Sequence, residues 1–289
     1  MATTITATDV KALRDRTGAG MMDCKAALTE ANGDMDEAIT ILRKKGMAQV
    51  AKKAGRAMKE GLVGVRLNAD ATDGVVAEVN CETDFVARTP EFQALVDTVT
   101  TDLLAAPSTE DPQALAAAEG SVGAKVAEKI AKTGENMAVT RAARLTGDGL
   151  VGSYLHLGGK IGVLVELQGV PAAARQSDGI STLVRELAMQ IAAASPSYAT
   201  REEVPASVIE QEKNIYRAQM ENSGKPANVI EKIVEGKLGS FYGVAVLPDQ
   251  PSIRDPKTTV SQVVAEASKA AGGTIRVSRF VRFKVGESA

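Results

Sequence analysis

The sequence is poor in the residues on which many enzyme sites and cross-linked folds depend. It has no tryptophan, one histidine and two cysteines in 289 residues. Because His156 is the only imidazole, a metal site with two histidine ligands is excluded. Cys24 and Cys81 are too few for a disulfide framework or a four-thiolate zinc site, so we expect a protein of the reducing cytoplasm without a metal or cofactor.

Phosphate-binding loops and long apolar runs are also missing. The nearest glycine clusters, Gly18-Ala19-Gly20 and Gly158-Gly159-Lys160, lack the spacing of a Walker loop or of a dinucleotide-binding fingerprint. Nowhere do about eighteen apolar residues follow one another, and a charged residue, Asp9, already stands within the first ten. We therefore expect a chain that is neither exported nor membrane-spanning.

The composition is that of an ordinary globular protein. Hydrophobic residues make up 44% and charged residues 24% of the chain, which excludes disorder as its main state. The 34 basic residues are balanced by 36 acidic ones, giving a net charge of -2 and a pI near 5.7. This balance argues against broad nucleic-acid binding, so direct nucleic-acid contact is not expected.

Residues 1–55 are predicted to form a three-helix bundle. Thr8 or Asp9 is placed to cap the first helix, which Gly18 ends, and Asp34 is placed to cap the third, which Gly46 ends. Apolar residues recur every three or four positions, as expected of core faces, at Met21, Cys24, Leu28, Ala31, Met35, Ile39 and Leu42. The basic segment 50–59 that follows is interpreted as a solvated helix joining the bundle to the next domain.

The rest of the chain contains an internal repeat of strand, strand and helix. The segment Gly61-Leu62-Val63-Gly64 returns 88 residues later as Gly149-Leu150-Val151-Gly152, Glu78 returns as Glu166, and Leu95-Val96 returns as Leu183-Val184. We predict an α+β fold with two related domains, 56–146 and 147–289, each with a small, mainly antiparallel sheet. Segment 137–145 is expected to complete the first sheet, and segments 241–247 and 275–285 the second.

Residues 196–240 interrupt the second copy with two amphipathic helical patterns. The chain turns between them at Gly224-Lys225-Pro226, so an inserted antiparallel helical hairpin is predicted. Because such a hairpin leaves its apolar stripe half covered, it is interpreted either as a protein contact or as a self-packed element.

The segment NCETDFV at 80–86 stands where the second strand of the first copy ends. The matching positions of the second copy read QGVPAAA, so the shared fold does not require Asp84 or Phe85. Two interpretations follow: Phe85 plugs the core beneath the next helix with Asp84 as a turn residue, or the segment is a functional tip.

Together, RTGAGMMDCK at 16–25, NCETDFV at 80–86 and IGVLV at 161–165 resemble the bacterial elongation factor Ts family over nearly the whole chain. The resemblance implies a ubiquitin-associated-like bundle, two related core domains and a helical hairpin that forms homodimers in some members. It also implies a non-enzymatic guanine-nucleotide exchange factor that binds elongation factor Tu, both GDP-bound and nucleotide-free, and promotes GDP release.

The resemblance also assigns roles to residues. It implies that Thr83, Asp84, Phe85 and Val86 enter the partner and disturb its magnesium and phosphate site. Arg14, Met21 and Met22 are implied as contacts with a helix of the partner's GTPase domain. His156 is a further candidate contact, although a lone exposed histidine in a loop is the commoner case. From the residues alone, both methionines could equally be core fillers, since methionine adapts to irregular gaps. Adjacent helical positions point about 100° apart, however, so only one of the two can share the face of Cys24, and Met22 is expected to point outward.

Two other functions stay open at this point. An RNA-associated scaffold would use the basic segment 52–59 and the hairpin. A hydrolase or transferase would use Cys81 as a nucleophile, although a buried strand cysteine is the commoner case.

Overall fold

We describe the chain from a computed structural model, over residues 5–53, 55–117, 120–220 and 225–287, leaving aside the side chains of 46–53 and 131. The helices and strands follow the order α1 Ala7–Thr17, α2 Met21–Glu30, α3 Met35–Lys53, β1 Glu60–Leu67, β2 Asp73–Cys81, α4 Asp84–Ala87, α5 Pro90–Ala105, α6 Pro112–Ala116, α7 Ser121–Thr133, β3 Met137–Thr146, β4 Leu150–His156, β5 Ile161–Gln168, α8 Asp178–Ala194, α9 Ala206–Met220, α10 Ala227–Ala245, α11 Val260–Ala271 and β6 Arg276–Lys284.

The predicted α+β class is confirmed. The strands form two three-stranded sheets, with the orders β1-β2-β3 and β4-β5-β6, and β4 pairs antiparallel with β5 from Leu150 opposite Leu167 to His156 opposite Ile161. The chain divides into two compact units, one of Met1–Gly64, Ala77–Ala143 and Lys284–Ala289, the other of Val65–Val76 and Arg144–Phe283. The domain boundaries at 55 and 146 stay a prediction.

In the first unit, helices α1, α2 and α3 form a bundle around a small apolar core. Its fully buried members are Leu13, Cys24, Ala27, Leu28 and Ala38. Helix α7 packs against α3 and also against α5. The bundle is therefore joined to the helices of the same unit that follow the first hairpin.

The ends of these helices show which local predictions were wrong. Thr6, rather than Thr8 or Asp9, caps α1, because its Oγ1 accepts from the Asp9 N–H and the Asp9 carboxylate accepts from Thr6 in return. The pKa of Asp9 is lowered, first by the hydrogen bond that the Thr6 hydroxyl donates to its carboxylate over 2.7 Å and then by the one from the Thr6 N–H. The Asp34 cap is confirmed, but α3 does not end at Gly46 and continues to Lys53.

In the second unit, α8 covers β4 and β5, and α11 packs against α8. The core between them consists of aliphatic side chains from strands and helices, including Leu150, Val163, Val165, Leu167, Ile180, Leu183, Leu187 and Ile191. Strand β6 completes this sheet as predicted, but segment 241–247 does not. It forms the last turns of α10 and the start of a short 3₁₀ turn, Leu247–Asp249.

The predicted helical hairpin is present as α9 and α10, which pack against each other. Arg217 of α9 donates to Glu231 of α10 over 2.8 Å from Nε, and this hydrogen bond lowers the pKa of Glu231. The apolar stripe is only partly covered, because Ile215 is 43% exposed. The homodimer through this hairpin stays a prediction. Within the described residues, no helix combines the length and the hydropathy that crossing a membrane requires.

A repeated glycine sets how closely helix and sheet approach in each copy. A Cβ built on Gly64 would lie 2.6 Å from Cγ1 of Val96, and one built on Gly152 would overlap Cγ1 of Val184. The two glycines match in the repeat, and so do the two valines. Each copy thus packs a valine of its helix onto a strand position that has no side chain.

We predict that Gly152→Ala lowers the free energy of unfolding by about 1–3 kcal/mol, because the added methyl group overpacks the contact with Val184. Urea denaturation measures the change. Gly179→Ala on α8 is the matched control, since a Cβ there meets no atom within 4 Å, and stability should stay the same or rise by less than about 1 kcal/mol. Equal losses in the two variants would contradict the packing argument.

Candidate functional site

The segment after β2 is a short turn held by hydrogen bonds. Thr83 caps the one-turn helix α4, with its Oγ1 accepting from the Val86 N–H over 3.3 Å. The thiol of Cys81 donates to the Thr83 carbonyl over 3.2 Å, and Ala87 is buried at the far end of the turn. Both sides of the turn are therefore fixed to the protein, and its middle is left to solvent.

Phe85 stands in that middle and is 80% exposed. The interpretation of Phe85 as a core plug is wrong, because Phe92 of α5, at 1% exposure, fills the core instead. Asp84 is partly exposed and pairs with Arg88 over 2.7 Å, while Val86 is half-buried. Exposing a whole phenylalanine forgoes about 1.5–3 kcal/mol of burial, so the fold does not account for this side chain.

Beside the turn, polar side chains in the second half of β2 and just after it each bind a residue just before β3 or in its first half. The pairs are Glu78 with Arg141, Asn80 with Thr140, Glu82 with the Asn136 N–H and Thr83 with Glu135. Glu78 is 2% exposed and Asn136 is 3% exposed. Such buried polar groups are tolerated because they are hydrogen-bonded, and here they fix the end of β2 to a second segment of the chain.

The basic segment takes part in this network as well. Arg56 donates to Glu82 over 3.3 Å, and its carbonyl accepts from the Asn136 side chain over 3.1 Å. Arg56 and Lys59 are exposed, as predicted, but residues 55–59 are not helical, so the prediction of a helix over 50–59 is wrong for that part. The side chains of Lys52 and Lys53 lie outside the described ones. Arg56 thus binds residues beside the turn and does not belong to a free cationic surface.

The N-terminal bundle exposes three of the residues implied as partner contacts. Met21 is 46% exposed and Met22 is 77% exposed, and Arg14 is also exposed. Placing Met21 on the core face with Cys24 and Leu28 was wrong. Met21 is the first residue of α2, so part of its side chain lies beyond the bundle core. The interpretation of both methionines as core fillers is also wrong, because Met22 points outward and is exposed as well.

His156 ends β4 in the second unit and is exposed. Its Nδ1 lies 3.0 Å from the Tyr154 hydroxyl oxygen, and the next residue, Leu157, is 70% exposed. Residues 83–86, Arg14, Met21 and Met22 all belong to the first unit.

Both cysteines are buried, so the interpretation of Cys81 as an ordinary strand cysteine is confirmed. Burial also raises the pKa of Cys24, which disfavours a reactive thiolate. Among the described side chains, no three His, Cys, Asp or Glu residues gather as metal ligands would. At the turn, the structure presents Phe85 as exposed apolar surface.

Two residues of the site were missed from the sequence, Glu135 and Asn136. They follow Gly134, which ends α7 in a left-handed conformation, and they precede β3. The signal that could have found them is the comparison of the two copies. The 88-residue offset aligns the first two strands and the helix of the two copies, but it does not align β3 with β6.

Comparison with known proteins places this chain among translation factors. Residues 82–287 match the family model described as Elongation factor TS. The chain is 45% identical over 290 residues to Elongation factor Ts of a Nitratiruptor species, covering 98% of this chain and 93% of that protein. It is 44% identical over 287 residues to Elongation factor Ts of Nitratidesulfovibrio vulgaris, covering 99% and 97%.

The exposure of Phe85 predicts that the fold does not depend on it. Phe85→Ala should change the free energy of unfolding by less than about 0.5 kcal/mol, as for most surface substitutions. Phe92→Ala should cost about 3–5 kcal/mol, because it leaves a cavity in the core. Urea denaturation of both variants tests this, and a large loss for Phe85→Ala would contradict the exposed position.

Proposed function

Because the chain belongs to the elongation factor Ts family of translation elongation factors, we propose that it is the guanine-nucleotide exchange factor of elongation factor Tu. It would bind the GDP-bound partner in the cytoplasm, promote GDP release from it and leave when GTP rebinds. The observation that carries the proposal is Phe85, which stands 80% exposed on a turn fixed at both ends. It lies in the motif whose resemblance implies insertion into the partner.

Such a factor answers a kinetic problem. A nucleotide that is held at about nanomolar affinity and rebinds at roughly 10⁶–10⁷ per molar per second leaves unaided only once in hundreds of seconds. Binding of the factor to a distorted, nucleotide-free partner weakens nucleotide binding by the same free energy by which nucleotide weakens binding of the factor. No covalent bond needs to form or break, so the protein acts without being an enzyme.

Residues 83–86 would supply that coupling. An apolar pocket that buried Phe85 would gain about 1.5–3 kcal/mol, which is available only in the partner conformation that opens the pocket. Asp84 brings a carboxylate next to that phenyl ring, and its ion pair with Arg88 is exposed enough to exchange for groups near the magnesium ion. Phe85 would thus act as a wedge and Asp84 on the metal site.

The bundle and the second unit would supply affinity. Met21 and Met22 present flexible apolar surface on α2, with Arg14 exposed on α1. Methionine adapts to irregular partner surfaces, which suits a contact with a helix of the partner. His156, exposed at the end of β4, would be a further contact.

The proposal is tested by stopped-flow release of a fluorescent GDP from elongation factor Tu, chased with excess unlabelled nucleotide. We expect catalytic amounts of the protein to accelerate release and to turn over many times. With a folded sample and an active partner, an unchanged rate would overturn the proposed function.

The two residues of the turn should be separable in the same assay. Phe85→Ala should slow catalysed release by about tenfold or more, with and without EDTA, because it removes the apolar contact. Asp84→Ala should slow release in excess Mg²⁺ and lose most of its effect in EDTA. Ile253→Ala, at a residue 45% exposed in the second unit, is the control for losing an exposed apolar side chain. A rate of GDP release that is unchanged in Phe85→Ala would contradict the proposed role of Phe85 as a wedge.

A further inference from the structure

The turn that carries Phe85 is held by the carboxylate of a residue distant in the sequence. Glu135 accepts two hydrogen bonds from Thr83, one from its hydroxyl over 2.8 Å and one from its backbone N–H over 3.2 Å. The same hydroxyl oxygen accepts from the Val86 N–H. Because a hydroxyl that donates to a carboxylate becomes a better acceptor, the bond from Glu135 strengthens the cap of the turn.

A second attachment lies next to the first. The Asn136 N–H donates to Glu82 over 2.7 Å, so two consecutive residues before β3 hold two consecutive residues after β2. Glu135 is partly exposed, whereas Asn136 is buried. A substitution at Glu135 can therefore loosen the turn without opening the core.

The second copy of the repeat shows what the fold alone requires at this place. Its β6 carries Arg279, which pairs with Glu166 as Arg141 of β3 pairs with Glu78. Glu135 stands six residues before Arg141, and the residue six before Arg279 is Gly273.

Gly273 makes the corresponding contact. Thr83 matches Pro171 in the repeat, and a Cβ built on Gly273 would lie 2.6 Å from Cδ of Pro171. Both copies therefore bring a residue two or three positions before the third strand against the residue that starts the turn. The second copy does so by close apolar packing, without a hydrogen bond between side chains.

The turns themselves differ in the same way. The second copy has a 3₁₀ turn, Ala172–Ala174, with no side-chain cap, and Ala173 stands where Phe85 stands in the first copy. Closing the sheet requires the contact but neither the carboxylate nor the aromatic ring. Glu135 and Phe85 occur together in one copy and are absent together from the other.

From this we infer that Glu135 is a positioning residue, which holds Thr83 so that Phe85 is already presented before the partner arrives. The inference rests on the proposed exchange function. Without the carboxylate, the turn must be ordered when the complex forms, and that cost lowers affinity. Once the complex has formed, Phe85 occupies the same place, so the release rate at saturation changes little.

The test compares Glu135→Ala and Glu135→Gln with the wild-type protein. Amide hydrogen exchange at Thr83 and Val86 should be about tenfold faster or more in Glu135→Ala, because that variant loses both hydrogen bonds from Thr83 to the carboxylate. The concentration of factor that half-saturates GDP release should rise by a similar factor, with the saturating rate within about twofold. Glu135→Gln keeps one acceptor oxygen and should fall between wild type and Glu135→Ala.

Glu128→Ala is the matched control, since Glu128 is an exposed acid on α7. It should leave both measurements unchanged. Unchanged amide exchange in Glu135→Ala would overturn the inference, and so would faster exchange with unaltered release kinetics. A wild-type protein that fails to accelerate GDP release would instead overturn the proposed function, and this inference with it, whatever the amide exchange shows.

Discussion

Each three-stranded sheet contains a carboxylate, buried in its second strand, that is paired with an arginine of its third strand. Glu78 and Glu166 are both 2% exposed, and Arg141 and Arg279 approach them within 2.5 Å. Leaving a buried charge without its partner costs about 3–5 kcal/mol, so neither sheet tolerates the loss of its third strand. This pairing brings distant segments of the chain together in both copies, and in the first copy it places residues 135–136 beside the exposed turn.

The parts of the fold that follow from local chemistry could be read from the sequence. The glycine that ends α1 and the Asp34 cap depend on residues close in the chain, and the repeat is visible as matching segments 88 residues apart. The structure shows each of them. Segment 241–247 was misread because its aromatic and β-branched residues favour a strand, whereas packing of Val234 and Leu238 carries α10 through it. Tertiary contacts outweighed local preference there.

The site was predictable to a similar depth. The contrast between the two copies was enough to single out Asp84 and Phe85, and exposure on the turn bears out that Phe85 is not a core residue. The hydrogen bonds from Thr83 to Glu135 span 52 positions, and no periodicity or local motif specifies such a pair. Finding it requires aligning the third strands of the two copies, where Val139-Thr140-Arg141 matches Val277-Ser278-Arg279 across 138 positions rather than 88.

The position of helix α7 bears on how the proposed partner would be recognised. At its C-terminal end, the Lys132 side chain lies beside Gly18, just before the methionines of α2, and Glu135 follows one residue after the Gly134 cap. The C-terminal end of α7 therefore lies close to both surfaces of the first unit that the proposed function uses. If both surfaces contact the partner as proposed, they require two matching features of that partner to lie at a fixed distance from each other. Selectivity among related GTPases would then depend on that distance as well as on the chemistry of each surface.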